Sequence, residues 1–218
     1  LKEVRPTLMC AVPRFWEKVY VGVKEVLSGY TPTKLAIVTW ALEVGKKHNI
    51  NYLRTGKKPD FWLSLSYKVA EKLVYSKLKT TLGLENAKTL PVAGARLSDE
   101  ITLFFRSLGI PLVYGYGLTE STATVTCFED QYEIGTVGSL MPDVEAKIGD
   151  EKEILLRGKT ITKGYYLNAE ANEKAFTADG WFRTGDAGEI RDNKIILTER
   201  LKDLFKTSNG KYVAPQEI

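Results

Sequence analysis

Three short segments carry residue types that could handle a phosphorylated nucleotide. Tyr114-Gly115-Tyr116-Gly117-Leu118-Thr119-Glu120 continues an apolar run, Pro111 to Tyr114, that reads as a buried strand. Residues leaving the carboxyl end of such a strand stand where open α/β sheets take ligands. Gly115 and Gly117 let the backbone approach a bound group and expose N–H groups to an anion. Thr119 offers a hydroxyl, Glu120 a hard carboxylate suited to Mg²⁺, and Tyr116 a flat face for a purine. The same residues also fit a tight turn ahead of a capped helix, and on residue types alone the two readings weigh evenly.

The second segment is Gly180-Trp181-Phe182-Arg183-Thr184-Gly185-Asp186. Its two turn dipeptides, Asp179-Gly180 and Thr184-Gly185, bracket an aromatic pair. A carboxylate fixed on such a turn can accept both hydroxyls of a ribose, which singles out Asp186; a plain turn or cap role is the alternative. The third segment, Arg200-Leu201-Lys202-Asp203-Leu204-Phe205-Lys206, alternates charge with apolar residues and leads through Asn209-Gly210 into Tyr212-Val213-Ala214.

The elements that must hold these segments follow from periodicity. Thr7 to Val12 reads as a buried strand, and Pro13 opens a helix with apolar positions at Val12, Phe15, Trp16, Val19, Tyr20, Val23, Val26 and Leu27, closed by Gly29. Residues 34–47 and 62–79 read as two further helices, with core faces Leu35, Val38, Leu42 and Trp62, Leu65, Val69, Leu73. Asn49 to Asp60 reads as a polar connector. From residue 87 the order becomes strand (Lys88 to Ala93), helix (Asp99 to Leu108, N-capped by Ser98), strand (Pro111 to Tyr114), which implies a parallel pair. After Glu133 the chain turns strand-rich. Hairpin signals sit at Gly149 to Lys152, between Val144–Ile148 and Glu153–Arg157, and at Asp192-Asn193, between Glu189–Arg191 and Lys194–Thr198.

Bulk properties exclude several classes. The 218 residues are 44% hydrophobic and 27% charged, ordinary values for a globular chain with room for a core. A net charge of +4 gives some bias towards anionic partners, such as nucleotides, CoA or an acidic lipid surface, and is no nucleic-acid footprint. One histidine, His48, rules out a multi-histidine metal site; in the run Lys46 to Asn49 it reads as solvated. Cys10 and Cys127 read as reduced, buried thiols of a cytoplasmic chain. No apolar run is long enough to span a membrane.

In this order and at these separations, the three motifs resemble the AMP-forming acyl-CoA synthetases, the adenylate-forming superfamily that also holds luciferase and peptide-synthetase adenylation domains. Pro6-Thr7-Leu8-Met9, Val12 to Tyr20 and Phe205-Lys206 to Pro215 look like its long-chain fatty-acid branch. The resemblance spans essentially the whole chain. It implies an α/β (mixed α+β) fold, part of the large N-terminal domain of such an enzyme. Residues 1–132 would be the end of the AMP-binding region, 133–198 a β subdomain, and 199–218 the hinge with the start of a C-terminal domain.

By the same resemblance, Gly94, Ala95 and Arg96 match the loop lining the adenine site and Tyr116 the residue stacked on adenine. Gly117 lies in the nucleotide loop, Thr119 matches the α-phosphate contact, and Glu120 the Mg²⁺ carboxylate. Asp186 and Arg200 match the ribose contacts, Lys202 the hinge, and Lys206 a lysine used in forming the thioester. Expected substrates are ATP, a fatty acid and CoA, with acyl-AMP and AMP formed on the way, in a cytoplasmic protein able to touch the inner membrane surface peripherally. Two features of relatives are missing: a Ser/Thr/Gly-rich phosphate loop ending in Lys, which does not occur between Leu1 and Val92, and a catalytic lysine placed beyond position 218. The 218 residues alone are therefore expected to be inactive. Rival readings are another adenylating ligase (short-chain, aryl or peptide-synthetase) and a noncatalytic nucleotide-binding module.

Overall fold

The computed structural model describes residues 1–127 and 133–201, together with the backbone of two short strands, Phe205–Lys206 and Tyr212–Val213. The Asn209-Gly210 turn and Lys202 lie outside the described residues. Two compact units separate after Tyr114: one built on Leu1–Tyr114, the other on Gly115–Cys127 and the chain from Gly135 onwards.

In the first unit, α1 (Pro13–Ser28) starts at a proline whose missing N–H costs no helical bond, and Gly29 closes it. Trp16, Val23 and Leu27 are buried, while Val12 and Val26, which the apolar rhythm also assigns to the core side, face solvent. Helix α2 (Pro32–Gly45) runs on into a π-helical segment, Lys46–Tyr52, so much of the expected polar connector is helical. Val38 is buried and Leu42 packs on the core, but Leu35 is exposed. Helix α3 (Phe61–Ala70) is capped by Asp60, whose carboxylate accepts the Leu63 N–H at 2.8 Å, and continues through a π-helical turn (Glu71–Tyr75) into α4 (Ser76–Leu82).

The expected core stripe of that helix is corrected: Trp62, Leu65, Val69 and Leu73 are all exposed. The inward face is Leu63, Tyr67, Ala70 and Val74. Both stripes have helical spacing, and the smaller inward residues permit close packing beneath Tyr75, which is fully buried and donates its hydroxyl to the Ala41 carbonyl. His48 is also corrected. It is half-buried, stacked on Tyr67 with ring centroids 3.9 Å apart, and its Nδ1 lies 2.8 Å from Asn49 Oδ1.

Strands β1 (Leu90–Val92) and β2 (Leu112–Tyr114) pair in parallel around α5 (Asp99–Ser107), as the strand–helix–strand order requires. Ser98 caps α5 through the Ile101 N–H at 3.4 Å, and Asp99 and Glu100 complement its positive end. The segment expected as a buried strand, Thr7 to Val12, runs beside Thr89 and β1 through the isolated bridges Leu8–Thr89 and Ala11–Val92 rather than as a full strand. Lying outermost, it leaves Leu8 and Val12 in solvent, and Cys10 is exposed rather than buried, with Cys127 half-buried.

The second unit is an antiparallel sheet in the order β3 (Val144–Ile148), β4 (Glu153–Gly158), β5 (Phe182–Arg191), β6 (Lys194–Arg200). Both expected hairpins form, with Val144 opposite Gly158 and Arg191 opposite Lys194. Strand β5 begins well before Glu189, so Phe182 to Asp186 belong to the sheet. A short helix, α6 (Ala169–Ala175), precedes it, and β7 (Phe205–Lys206) pairs with β8 (Tyr212–Val213). Tyr116, Val125, Val137, Ile154, Leu156 and Ile195 form this unit's core.

Candidate functional site

Tyr116 enters the second unit just after β2, and its backbone is pinned at both ends. Its N–H donates to Thr126 Oγ1 at 2.8 Å, and its carbonyl accepts the Val125 N–H at 2.7 Å. Thr126 Oγ1 in turn donates to the Val137 carbonyl at 2.5 Å. The ring is only 7% exposed, so most of it is core and a narrow edge is left for a ligand. Its hydroxyl donates to Asp186 Oδ2 at 2.7 Å. Burial first, and the Asp186 charge second, push that hydroxyl well above the usual tyrosine range, which keeps it a donor at any ordinary pH.

Asp186 is itself 6% exposed and faces Arg200 on the neighbouring strand, with Arg200 Nε 3.3 Å from Oδ1. Among the described residues each carboxylate oxygen therefore has one partner, with a second lone pair left for a ligand hydroxyl. Two motifs 70 residues apart thus meet at one carboxylate.

The turn that presents Asp186 rests on a residue the motifs do not contain. Glu153, buried on β4, accepts the Gly185 N–H on Oε1 at 2.9 Å and Arg183 Nη1 on Oε2 at 3.0 Å. Thr184 adds a hydrogen bond to the Ile154 carbonyl at 2.7 Å, and its Oγ1 accepts the Asp186 N–H at 3.1 Å. The only cue in the sequence is an acidic residue at the inward end of a strand that must pair with the turn. Glu153→Ala strips the acceptor from a turn N–H. It is expected to lower unfolding stability by about 1–3 kcal/mol, read from the urea midpoint, with Glu153→Gln closer to the parent. Trp181, the aromatic of the same motif, lies between cations, with Lys147 Nζ 4.5 Å and the Arg157 guanidinium 4.4 Å from its ring centroid.

Thr119 and Glu120 open a single 3₁₀ turn, Thr119–Ser121, with no longer helix behind it. Thr119 is exposed. Glu120 is half-exposed; its Oε1 accepts the Tyr165 hydroxyl at 2.9 Å, and its carbonyl accepts the Thr162 N–H at 2.7 Å. Donation to that carboxylate first, then burial, holds the Tyr165 hydroxyl above its usual range. No group of three metal-ligating side chains occurs among the described residues. A lone half-exposed carboxylate with one oxygen unpartnered among those residues fits Mg²⁺, which binds through one or two carboxylates and completes its octahedron with phosphates and water.

Gly94, Ala95 and Arg96 belong to the first unit, where all three are exposed; Gly94 has φ +95° and Arg96 pairs with Asp99 at 3.4 Å. Gly117 is half-buried within its loop. Lys206 is placed only as backbone, opposite Tyr212. The structure brings together Tyr116, Asp186 and Arg200, and sets Thr119 and Glu120 on the loop that Tyr116 anchors.

The AMP-binding enzyme family matches residues 1–166. The chain belongs to that family. A long-chain-fatty-acid–CoA ligase of Mycobacterium bovis is 34% identical over 213 residues, 97% of this chain and 34% of the relative. Long chain acyl-CoA synthetase 5 of Arabidopsis thaliana is 32% identical over 237 residues, covering 100% of this chain and 34% of the relative. The chain spans about a third of the length of these relatives. Among solved structures, an E. coli MenE with bound OSB-AMS is 32% identical with a TM-score of 0.54, covering 66% of this chain and 31% of that one. For the fold alone, O-succinylbenzoate coenzyme A synthetase (MenE) from Bacillus subtilis, in complex with ATP and magnesium ion, superimposes with a TM-score of 0.56 at 23% identity, over 74% of this chain and 38% of that chain. The mixed α/β architecture is thus that of adenylate-forming enzymes. Among the described residues no helix is long and apolar enough to cross a membrane.

Proposed function

We propose that this chain is one half of the ATP site of a long-chain-fatty-acid–CoA ligase. The observation that carries the reading is the contact of Tyr116 with Asp186, 70 residues away, on a carboxylate that Arg200 also flanks. Two buried oxygens with spare lone pairs beside a tyrosine edge suit a nucleoside: the diol donates to Asp186, and the base lies along Tyr116. Gly94, Ala95 and Arg96 would belong to the adenine loop, as the resemblance implies. The exposed Thr119 hydroxyl would donate to the α-phosphate, and Glu120 would hold Mg²⁺. The metal supplies neutralisation of phosphate charge when bound; the chain's own part is to orient the α-phosphate for attack by a carboxylate. Lys202 would be the hinge, Lys206 would serve thioester formation with CoA, and residues 1–132, 133–198 and 199–218 would be the end of the AMP-binding region, the β subdomain and the hinge segment. With only about a third of its relatives' length, the 218 residues alone would not complete the reaction.

The long-chain assignment is supported by the relatives of M. bovis and A. thaliana. A second reading, an aryl-CoA ligase, is favoured by the 32% identity to E. coli MenE. ATP–pyrophosphate exchange by the full-length protein across a carboxylate panel separates them: C12–C18 fatty acids should support the fastest exchange. Faster exchange with aryl or short-chain acids would replace the long-chain reading, and absence of exchange with every acid tested would leave a nucleotide-binding module.

A further inference from the structure

Residues 158–172 carry none of the three motifs, yet they are tied to the Glu120 turn three times. Thr162 donates its N–H to the Glu120 carbonyl at 2.7 Å, Thr122 Oγ1 donates to the Thr160 carbonyl at 2.7 Å, and the Tyr165 hydroxyl donates to Glu120 Oε1 at 2.9 Å. Tyr165 is held in turn by Asn172 of α6, whose Oδ1 accepts the Tyr165 N–H at 2.6 Å while its Nδ2 donates to the Tyr165 carbonyl at 2.9 Å. This two-point grip needs an amide, because a carboxylate could accept but not donate. It also needs Gly164: at φ +140° a Cβ there would stand 2.9 Å from Asn172 Oδ1. Asn168 fixes the helix that carries Asn172, accepting the Ala171 N–H at 3.0 Å.

We propose that Tyr165 and Asn172 are positioning residues for the Glu120 carboxylate, occupying one of its oxygens so that the other meets the cation alone. The inference rests on the reading of Glu120 as the metal carboxylate. A carboxylate held to one free oxygen favours Mg²⁺, which takes monodentate ligands in a strict octahedron, over Ca²⁺, which accepts bidentate ones at longer range. The relay therefore tunes both affinity and metal choice, as residues behind a metal ligand commonly do.

The test uses the full-length protein with ATP, reading free Mn²⁺ by electron paramagnetic resonance and inhibition by Ca²⁺ in the presence of Mg²⁺. Tyr165→Phe removes one exposed hydroxyl and should keep the fold, checked by circular dichroism. It is expected to raise the apparent Mn²⁺ dissociation constant about tenfold and to make Ca²⁺ a stronger competitor. Asn172→Asp should act in the same direction, and the double variant should be no worse than the weaker single one, since both sit on one relay. If Glu120→Gln weakens Mn²⁺ binding while both Tyr165→Phe and Asn172→Asp leave it and the Ca²⁺ inhibition unchanged, the positioning role is overturned. If Glu120→Gln itself leaves Mn²⁺ binding unchanged, the metal reading of Glu120 falls and takes this inference with it.

Discussion

Gly117→Ala is expected to cost about 3 kcal/mol or more, at the upper end for an added methyl, and to abolish nucleotide binding with it. A Cβ at this position would overlap the carbonyl of Ala123 and stand 2.7 Å from Thr124 Cα. Those neighbours are backbone, so no side chain can swing aside. Nor can the backbone give way cheaply: Thr122 and Ala123 already sit at φ +55° and +81°, and Val125 and Thr126 are bonded back to the Tyr116 carbonyl. Relief requires opening the loop, which releases Thr119, Glu120 and the Tyr116 contact to Asp186 together. Gly22→Ala is the control. It lies within α1 with nothing inside 4 Å, and should stabilise by about 0.5–1 kcal/mol through helix propensity alone. Urea unfolding of both variants, with and without ATP, checks the prediction; ATP should raise the midpoint of the parent and of Gly22→Ala but not of Gly117→Ala.

The glycine requirement explains why this loop was readable from sequence and its supports were not. Gly115 and Gly117 mark a turn after a strand in the letters themselves, while residue types alone leave a ligand loop and a plain capped turn evenly weighted. The residues that support the loop leave no such mark. Glu153, Tyr165 and Asn172 act through one or two hydrogen bonds each, fixed by strand register and by a short helix, and an acid, an aromatic and an amide at scattered positions carry no spacing of their own. Tyr116 reads from the sequence as a flat ring offered to a purine, but its depth in the second core depends on Val125, Val137 and Ile195, which reach it through the fold.

For the elements, local grammar sufficed wherever a cap or turn residue made the decision. Pro13 and Gly29 bound α1, Ser98 starts α5, and the two hairpins form around Gly149 to Lys152 and Asp192-Asn193. Periodicity alone decided less well. Helix α3 has two stripes of equal spacing, and the one richer in bulk, Trp62 to Leu73, lies outside. Amphipathic rhythm says that a face is apolar; only the partner surface says which of two apolar faces fits it.

Trp16 gives the second large effect, in the other unit. Trp16→Ala is expected to lower unfolding stability by about 3–5 kcal/mol, the range for emptying a large aromatic site in a packed core. The ring is wholly buried and meets Phe15 and Phe105 edge-on, with centroids 5.2 and 5.1 Å away at 87° and 67°. Collapse into the space is opposed from two sides, because Phe105 is also fully buried and is braced by Phe104 at 5.3 Å. The indole carries a cost of its own: Trp16 Nε1 is buried with no hydrogen-bond partner among the described residues. Trp16→Phe removes that orphaned donor while keeping an aromatic edge, so its loss should be well under half that of Trp16→Ala. Trp62→Ala, at a ring 73% exposed, should stay within about 0.5 kcal/mol of the parent. Denaturant unfolding followed by circular dichroism ranks the three, and equal losses for the Phe and Ala variants at position 16 would mean that the indole nitrogen has a partner after all.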